Sequence, residues 1–251
     1  MKQFSRNLLT FGKEGQSILK NSTVAILGLG GVGSYACEAI CRSGIGRIIL
    51  IDKDKIDITN INRQLHATLN TVGQSKVNLM AKRIKTINPD CEVIQLEMFF
   101  NNDTYDFILH NEIDFFIDAS DTITYKILLI KECLQRNIPF ISVMGAANKL
   151  DPTQFEIADI KDTSYDPIAK AIRIKLRKDK INGKIPVVYS KEKPLKSRYD
   201  EYNGKISNIT RKSEYPPASN SFVPPVAGFI ASSYAIRVLL KDIKIERSGE
   251  K

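Results

Sequence analysis

A cluster of glycines stands where an apolar segment gives way to a polar one. Gly28, Gly30, Gly31 and Gly33 follow the apolar run at 23–27. Because glycine has no side chain, the backbone can turn sharply there and approach a phosphate group closely. A helix that follows such a turn offers its unpaired N–H groups and the positive end of its dipole to the anion. The pattern indicates a nucleotide-binding turn, and a tight turn without a ligand is the alternative.

Asp52 closes the next apolar run, about 20 residues after the glycines, where Rossmann-type folds place a ribose-binding carboxylate. NAD and ATP both contain that ribose, so Asp52 favours a nucleotide without choosing between them. The residues that follow favour a triphosphate. Arg63 and Lys76 supply positive charge, and the amides of Asn60 and Gln64 supply hydrogen bonds to phosphate oxygens. The alternative is a solvated loop with ordinary surface charges.

Apolar runs alternate with helical patterns up to residue 150. They predict a Rossmann-like, doubly wound α/β fold with a mainly parallel sheet and helices on both faces. The predicted strands are 23–28, 47–52, 91–97, 114–120 and 139–144, and the predicted helices are 34–43, 77–87 and 125–136. We expect a nucleotide-binding domain at 1–150 and a smaller substrate-binding extension at 151–251 that packs back on it in one continuous fold. In that extension, strands at 153–160 and 185–190 flank a helix at 166–180, and a last helix at 226–241 follows a proline stop.

The chain has 251 residues, a formal net charge of +9 and a pI near 9.3. A basic excess favours nucleic acid, an anionic membrane surface or phosphorylated ligands as partners. Residues 1–15 lack the apolar core of a signal peptide, and the apolar segment 222–240 contains Pro224, Pro225 and Arg237. We therefore expect no membrane insertion. The four cysteines form no C-x-x-C pair, which argues against a zinc site and a disulfide framework and favours a cytoplasmic location.

The stretch 24–121 resembles the adenylating domain of the ubiquitin-activating, ThiF and MoeB superfamily through the pieces GLGGVG, IDKD, TNINRQ, VGQSKV and DASD. The resemblance implies that the glycine turn cradles ATP and that Asp52 holds its ribose. It implies phosphate contacts from Asn60, Arg63, Gln64 and Lys76, and a magnesium ion supported by Asp121. It also implies a homodimer, in which Arg6 reaches the neighbouring protomer's site. Arg6, Arg63, Lys76 and Asp121 are thus the expected catalytic residues.

The region after residue 150 is similar to the tRNA threonylcarbamoyladenosine dehydratase branch, of the TcdA or CsdL type, in the blocks ADIKDTSYDPIAKAIRIKLRK and VVYSKEKP. Helical spacing puts Ile168, Ile172 and Leu176 on one face of the predicted helix. A separate basic stripe consists of Lys170, Arg173, Arg177 and Lys180, which we expect to contact tRNA. The loop at 191–220 interleaves basic residues with tyrosines and is predicted to be a long, mobile surface loop that suits RNA. A plain solvated helix face is the alternative for the stripe.

This branch implies an ATP-dependent dehydration of the threonylcarbamoyladenosine beside the anticodon of tRNA, through an acyl-adenylate on the threonyl carboxylate. The chain has no cysteine beyond Cys133, so transfer of an acyl group to a downstream cysteine loses support. The resemblance also implies a cysteine-desulfurase or sulfur-acceptor system as a partner. One alternative is adenylation of the C-terminus of a ubiquitin-like sulfur-carrier protein. An NAD-binding oxidoreductase and a non-catalytic nucleotide sensor are more remote, and the role of His66 stays open.

Overall fold

The computed structural model describes residues 2–196, 198 and 217–244. Within these ranges the helices are α1 (Ser5–Asn21), α2 (Gly33–Arg42), α3 (Lys76–Ile87), α4 (Tyr105–Leu109), α5 (Ile123–Arg136), α6 (Pro167–Lys178) and α7 (Val223–Leu239). The strands are β1 (Thr23–Leu27), β2 (Arg47–Ile51), β3 (Glu92–Leu96), β4 (Phe115–Asp118), β5 (Phe140–Val143), β6 (Phe155–Asp159) and β7 (Pro186–Ser190). Short 3-10 turns connect several of these elements.

The strands form one sheet in the order β3-β2-β1-β4-β5-β7-β6, parallel throughout except for β6, which pairs antiparallel with β7. Successive strands step outward from β1 to β3 on one side and from β4 to β5 on the other. The strand order therefore reverses between β1 and β4, and parallel sheets of this kind bind ligands at the carboxyl ends of the strands beside such a reversal. The predicted doubly wound α/β fold is confirmed.

Both faces of the sheet are buried, which explains why its strands are apolar without alternation. In β1, Val24 and Ile26 pack with α2, α3 and α7 in one core cluster, and Ala25 and Leu27 pack with α4, α5 and α6 in the other. All the residues of β1 are buried. The register aligns Leu27 with both Ile51 and Asp118, so β1, β2 and β4 end at the same level. Residues just beyond these ends are brought to one edge.

Three helices differ from expectation, and one of them is the short α4, which lies outside the predicted elements. The α1 helix also lies outside the predicted elements, because most of its residues are exposed and Gly12 and Gly15 lower its helix propensity; it bends at Gly12, where φ is 69°. The last helix was predicted to start after the prolines, and that start was wrong. It begins at Val223, with Pro224 and Pro225 in its first turn. The first N–H groups of a helix have no partner within the helix, so proline is tolerated there.

The sheet continues past residue 150, since β7 pairs with β5 and β6 pairs with β7. The division into 1–150 and 151–251 remains a prediction. Among the described helices, none combines the length and the apolar character that crossing a membrane requires.

Candidate functional site

The glycine turn lies at the carboxyl end of β1, beside the reversal in strand order. Gly28 has a φ of +84°, and a β-carbon on it would stand 2.9 Å from the carbonyl oxygen of Ala119, just after β4. A β-carbon on Gly33, the first residue of α2, would overlap the carbonyl oxygen of Gly28. These contacts let α2 start directly against the turn, with its amino end toward the strand ends. The turn thus has the geometry that an anion-binding helix terminus requires.

Asp52, just after β2, is bonded to the glycine turn itself. Its Oδ2 accepts a hydrogen bond of 2.6 Å from the Leu29 backbone N–H, and its Oδ1 accepts one of 2.8 Å from the Asp54 N–H. Burial raises the pKa of the Asp52 carboxyl, and Lys76 together with these two hydrogen bonds offsets part of that rise. Each carboxylate oxygen can accept a further bond, so Asp52 can hold the turn and still receive ribose hydroxyls.

Lys76 is buried at the start of α3, where its Nζ faces two carboxylates. It lies 3.1 Å from Asp54 Oδ2 and 4.0 Å from Asp52 Oδ2. Backbone hydrogen bonds hold the loop between β2 and α3 in place. The Ile56 N–H donates to the carbonyl of Gln74, and the Lys76 N–H donates to the carbonyl of Asp54. The structure therefore puts Lys76 beside Asp52, although the two are far apart in sequence.

Asp54 is a residue of this site that sequence reasoning missed. Burial alone would raise the pKa of its carboxyl, but the pKa is lowered because the charges and hydrogen bonds of Lys76 and Lys53 outweigh the burial. Lys53 in turn lies 4.5 Å from the centre of the Phe99 ring, which is edge-on to Tyr125. The available signal was the IDKD motif, in which a second carboxylate stands two residues after Asp52.

Arg63 and Gln64 pack against the glycines. A β-carbon on Gly31 would stand 3.2 Å from Arg63 Cγ, and one on Gly30 would stand 3.9 Å from Gln64 Nε2. Arg63 Nη1 donates to Thr59 O and to Asn62 Oδ1, each at 2.8 Å. Burial lowers the pKa of the Arg63 guanidinium, while Asp121 and Asp57 raise it. Asp121 is therefore close enough to Arg63 to interact with it electrostatically.

Asn60 is buried and already bonded within its own loop. Its Oδ1 accepts from the Asp57 N–H at 3.1 Å, and its backbone carbonyl accepts from the N–H groups of Arg63 and Gln64. This capping arrangement folds the TNINRQ loop so that Arg63 and Gln64 turn toward the glycines. Asn60 therefore shapes the site independently of any contact with a ligand.

Asp121 is exposed in the loop between β4 and α5, on the other side of the glycine turn from Asp52. No group of three or more metal-binding side chains occurs among the residues that the structure describes. Magnesium associated with a nucleotide commonly takes one or two carboxylates and completes its shell with phosphate and water oxygens. A carboxylate at this strand end fits that mode of binding.

Arg6 does not join the site of its own chain. The neighbouring Asn7 donates to the carbonyl of Arg42, at the carboxyl end of α2. The glycine turn lies at the other end of this helix of 10 residues, about 15 Å away at 1.5 Å per residue.

The basic stripe on α6 is only partly as expected. Lys170 and Arg177 on the helix, and Lys180 just beyond its end, are exposed. Arg173 departs from the prediction: it is half-buried, and its Nη1 donates to the carbonyls of Ile160 and Thr163 and to the Thr163 hydroxyl. These carbonyls belong to the Ile160–Asp162 turn and to Thr163, which follows it. Helical periodicity cannot reveal this contact, because the acceptors lie outside the helix. Ile172 and Leu176 are buried, as predicted.

Most of the predicted basic loop at 191–220 lies outside the described residues, including Tyr199, Tyr202, Lys205, Arg211, Lys212 and Tyr215. Its described beginning is paired with the body of the protein. Lys191 lies 2.5 Å from Glu156, and Lys193 lies 5.3 Å from the centre of the Tyr165 ring.

The cysteines and His66 are not poised for nucleophilic or acid–base chemistry. The four cysteines are buried, and burial raises the pKa of Cys41 to about 12 and that of Cys91 to about 11. Burial, with Lys76 and Arg83, lowers the pKa of His66 to about 4, so its imidazole is neutral at physiological pH. The cysteines agree with the expected core packing.

A first prediction concerns Asp52. We expect Asp52→Asn to weaken the binding of both ATP and AMP by about tenfold, because both nucleotides contain the ribose and the amide removes an acceptor from it. Isothermal titration calorimetry measures this, with Asp114→Asn, a carboxylate at the opposite strand ends that accepts from Thr23 N–H, as the control. Unchanged affinity for AMP would contradict a role of Asp52 at the ribose.

Comparisons with known proteins agree with this geometry. The chain is 58% identical to the tRNA threonylcarbamoyladenosine dehydratase of Bacillus subtilis, over 99% of both chains. It is 32% identical to the enzyme of the same name from Escherichia coli, over 98% of this chain and 96% of that one. A crystal structure of the E. coli enzyme in complex with ATP matches with a TM-score of 0.85 and 31% identity, over 96% of this chain and 95% of that one. The ThiF family matches residues 4–247, and the chain belongs to the ThiF family.

Proposed function

We propose that the protein is an ATP-dependent tRNA threonylcarbamoyladenosine dehydratase. The observation that carries this proposal is the full-length similarity to the B. subtilis enzyme of that name, which includes the region after residue 150. The geometry supports it, because the glycine turn, Asp52, Arg63 and Lys76 meet at one edge of the sheet.

The reaction needs no nucleophile from the protein. A carboxylate oxygen of the threonyl group attacks the α-phosphorus of ATP, and the bond to pyrophosphate breaks. The carbamoyl group of the same substrate then attacks the activated carbonyl carbon, and AMP leaves with the carboxylate oxygen. A proton is released from the carbamoyl group, so the modified adenosine loses one water in total. The buried cysteines, whose pKa values are raised, are consistent with this route.

In this proposal the chain's residues bind and orient the reactants. Asp52 holds the ribose and, through Leu29, the turn that faces the phosphates. Lys76 and Arg63 stabilise negative charge that develops at the α-phosphate. Gln64 lies beside Gly30 and Asn60 shapes the loop, so both act next to these cations.

We further propose that Asp121 supports a magnesium ion bound to the triphosphate. Magnesium would neutralise phosphate charge and assist pyrophosphate departure. The proposal is supported by the position of Asp121 at a strand end, close enough to Arg63 for the two charges to interact.

The tRNA surface that we propose includes Lys170, Arg177 and Lys180, which are exposed on or next to α6. Positive side chains on one helix side suit a phosphate backbone. Arg173 contributes to this surface as an anchor of the helix to the Ile160–Thr163 segment.

We propose a homodimer in which Arg6 completes the partner's site. Its distance from the glycine turn of its own chain leaves it available for another protomer. A cytoplasmic location follows from the proposed substrates, ATP and tRNA. A connection to a cysteine-desulfurase or sulfur-acceptor system is a prediction of the family resemblance, and the mechanism above does not require it.

A second prediction tests the reaction. We expect the protein, incubated with ATP, Mg²⁺ and threonylcarbamoyl-modified tRNA, to remove one water from the modified nucleoside, as measured by mass spectrometry of the nucleosides. Arg63→Ala and Lys76→Ala should each lower the rate by about a hundredfold or more, because each removes a cation at the phosphates. If the mass is unchanged and pyrophosphate exchange occurs only with a ubiquitin-like carrier protein, the carrier-adenylating alternative is correct.

A third prediction separates the residues of the basic stripe. Lys170→Ala/Arg177→Ala should raise the KM for tRNA. The slope of the logarithm of the tRNA binding constant against the logarithm of the salt concentration should become shallower by about one unit per charge removed. The control Lys175→Ala/Lys178→Ala removes the same charge outside the stripe and should leave both quantities nearly unchanged. Arg173→Ala should instead lower the free energy of unfolding by about 1–3 kcal/mol, because buried carbonyls lose their donor. Equal tRNA binding by the two double variants would contradict a role of the stripe in binding tRNA.

A fourth prediction tests the dimer. Arg6→Ala and Lys76→Ala should each be nearly inactive alone, whereas their co-expression should restore activity to about a quarter of the wild-type level. The restored activity comes from mixed dimers, in which one site carries both defects and the other carries neither. Differently tagged chains allow the mixed dimer to be purified and assayed. No recovery in that mixed dimer would show that Arg6 does not act in the partner's site.

A further inference from the structure

A buried polar cluster lies under the carboxyl ends of β4 and β5. It consists of Asp118, Lys126 and Ser142, with exposed fractions of 0%, 1% and 0%. Removing a charge pair from water is costly unless both partners are fully hydrogen-bonded, and apolar residues of similar volume would fill the same space without that cost. The cluster therefore calls for an explanation other than packing.

Every donor of the Lys126 ammonium has an acceptor. Its Nζ lies 3.1 Å from Asp118 Oδ2, 3.4 Å from Ser142 Oγ and 2.7 Å from the carbonyl oxygen of Val143. Ser142 Oγ also donates to Asp118 Oδ2 at 2.6 Å. Lysine has three N–H donors, so this environment satisfies it and holds Asp118 Oδ2 in one position.

The other oxygen of Asp118 connects the cluster to the candidate site. Its Oδ1 accepts from the Ser120 N–H at 3.1 Å and from the Ser120 hydroxyl at 2.7 Å. Ser120 directly precedes Asp121. The turn formed by Ala119, Ser120 and Asp121 is thus bonded from below to a fixed carboxylate.

The same turn touches the glycine turn from the side. Ala119 N–H donates to Leu27 O at 2.8 Å, and a β-carbon on Gly28 would stand within 3.0 Å of Ala119 O and Ser120 N. The contact with β1 and the bonds to Asp118 hold the turn from two directions. The position of the turn is therefore fixed relative to Gly28 on one side and to Asp118 on the other.

We propose that Asp118, Lys126 and Ser142 are positioning residues, which hold the turn 119–121 against the glycine turn and so fix the Asp121 carboxylate relative to the nucleotide phosphates. This inference rests on the proposed function, in which Asp121 supports magnesium on the bound ATP.

The test compares ATP binding with and without MgCl₂, by isothermal titration calorimetry on the full chain. The quantity of interest is the factor by which Mg²⁺ increases ATP affinity. Asp118→Asn/Lys126→Met removes both charges together and so leaves neither charge unpaired. Glu38→Gln/Arg83→Met is the control, because Glu38 and Arg83 form a close ion pair, 2.6 Å apart, that joins α2 and α3 away from the candidate site; Glu38 also pairs with Arg42.

We expect the Asp118→Asn/Lys126→Met variant to lose about tenfold of the Mg²⁺-dependent gain, and its ATP affinity without Mg²⁺ to stay within about twofold of wild type. The control should keep the full gain. Ser120→Ala keeps the charge pair and removes only the hydroxyl bond to Asp118, so we expect a smaller loss, about threefold. If the double variant does not fold, as judged by circular dichroism, Ser120→Ala decides the question by the same measure.

A folded double variant with the full Mg²⁺-dependent gain would overturn the proposal, and so would a wild-type protein whose ATP affinity does not respond to Mg²⁺. Failure of the proposed function gives a different result. In that case wild-type protein binds ATP with Mg²⁺ but removes no water from modified tRNA, and the calorimetric comparison of the variants still stands.

Discussion

The close contact between the turns after β1 and β4 is the constraint on which the candidate site depends. Gly28 allows the backbone of Ala119 and Ser120 to approach, and Gly33 allows α2 to begin directly on the Gly28 carbonyl. With side chains at these positions, α2 would move away from the strand ends and its free N–H groups would no longer line the edge. Since the strands beside this edge end at one level, the turns after β1, β2 and β4 bring their residues to the same edge.

Opposite charges are arranged on the two sides of that contact. On the β2 side, Lys76 faces Asp52 and Asp54, and burial raises the pKa of Asp52 whereas the nearby lysines lower that of Asp54. On the β4 side, Arg63 interacts with Asp121. Each cation thus has a carboxylate neighbour. In the proposed function, incoming phosphates would compete with these carboxylates for Arg63 and Lys76, and the proposed metal ion at Asp121 would relieve part of that competition.

The extension after residue 150 is attached to the nucleotide edge by backbone contacts as well as by the sheet. Asn62 donates to Ser219 O at 2.9 Å, and Pro224 stands against Gly31. Asn148, with a φ of 56°, exchanges hydrogen bonds with Ala218 and accepts from Leu195. The two described ends of the basic loop at 191–220 are therefore anchored close to the carboxyl end of β5. This arrangement is suited to an enzyme that must bring part of a large substrate to an ATP phosphate.

The sequence by itself determined the α/β architecture, the glycine turn and the identity of the polar residues near it, because these depend on local periodicity and on backbone geometry at glycine. It also indicated ATP rather than NAD, through the cations that follow Asp52. Only the tertiary structure decided which groups meet. Asp54 joins Lys76 because the loop after β2 folds back, Arg173 turns inward because the Ile160–Thr163 carbonyls face it, and Lys126 lies under Asp118 because β4, α5 and β5 pack together. Such pairings join residues from separate elements, so no spacing along the chain specifies them.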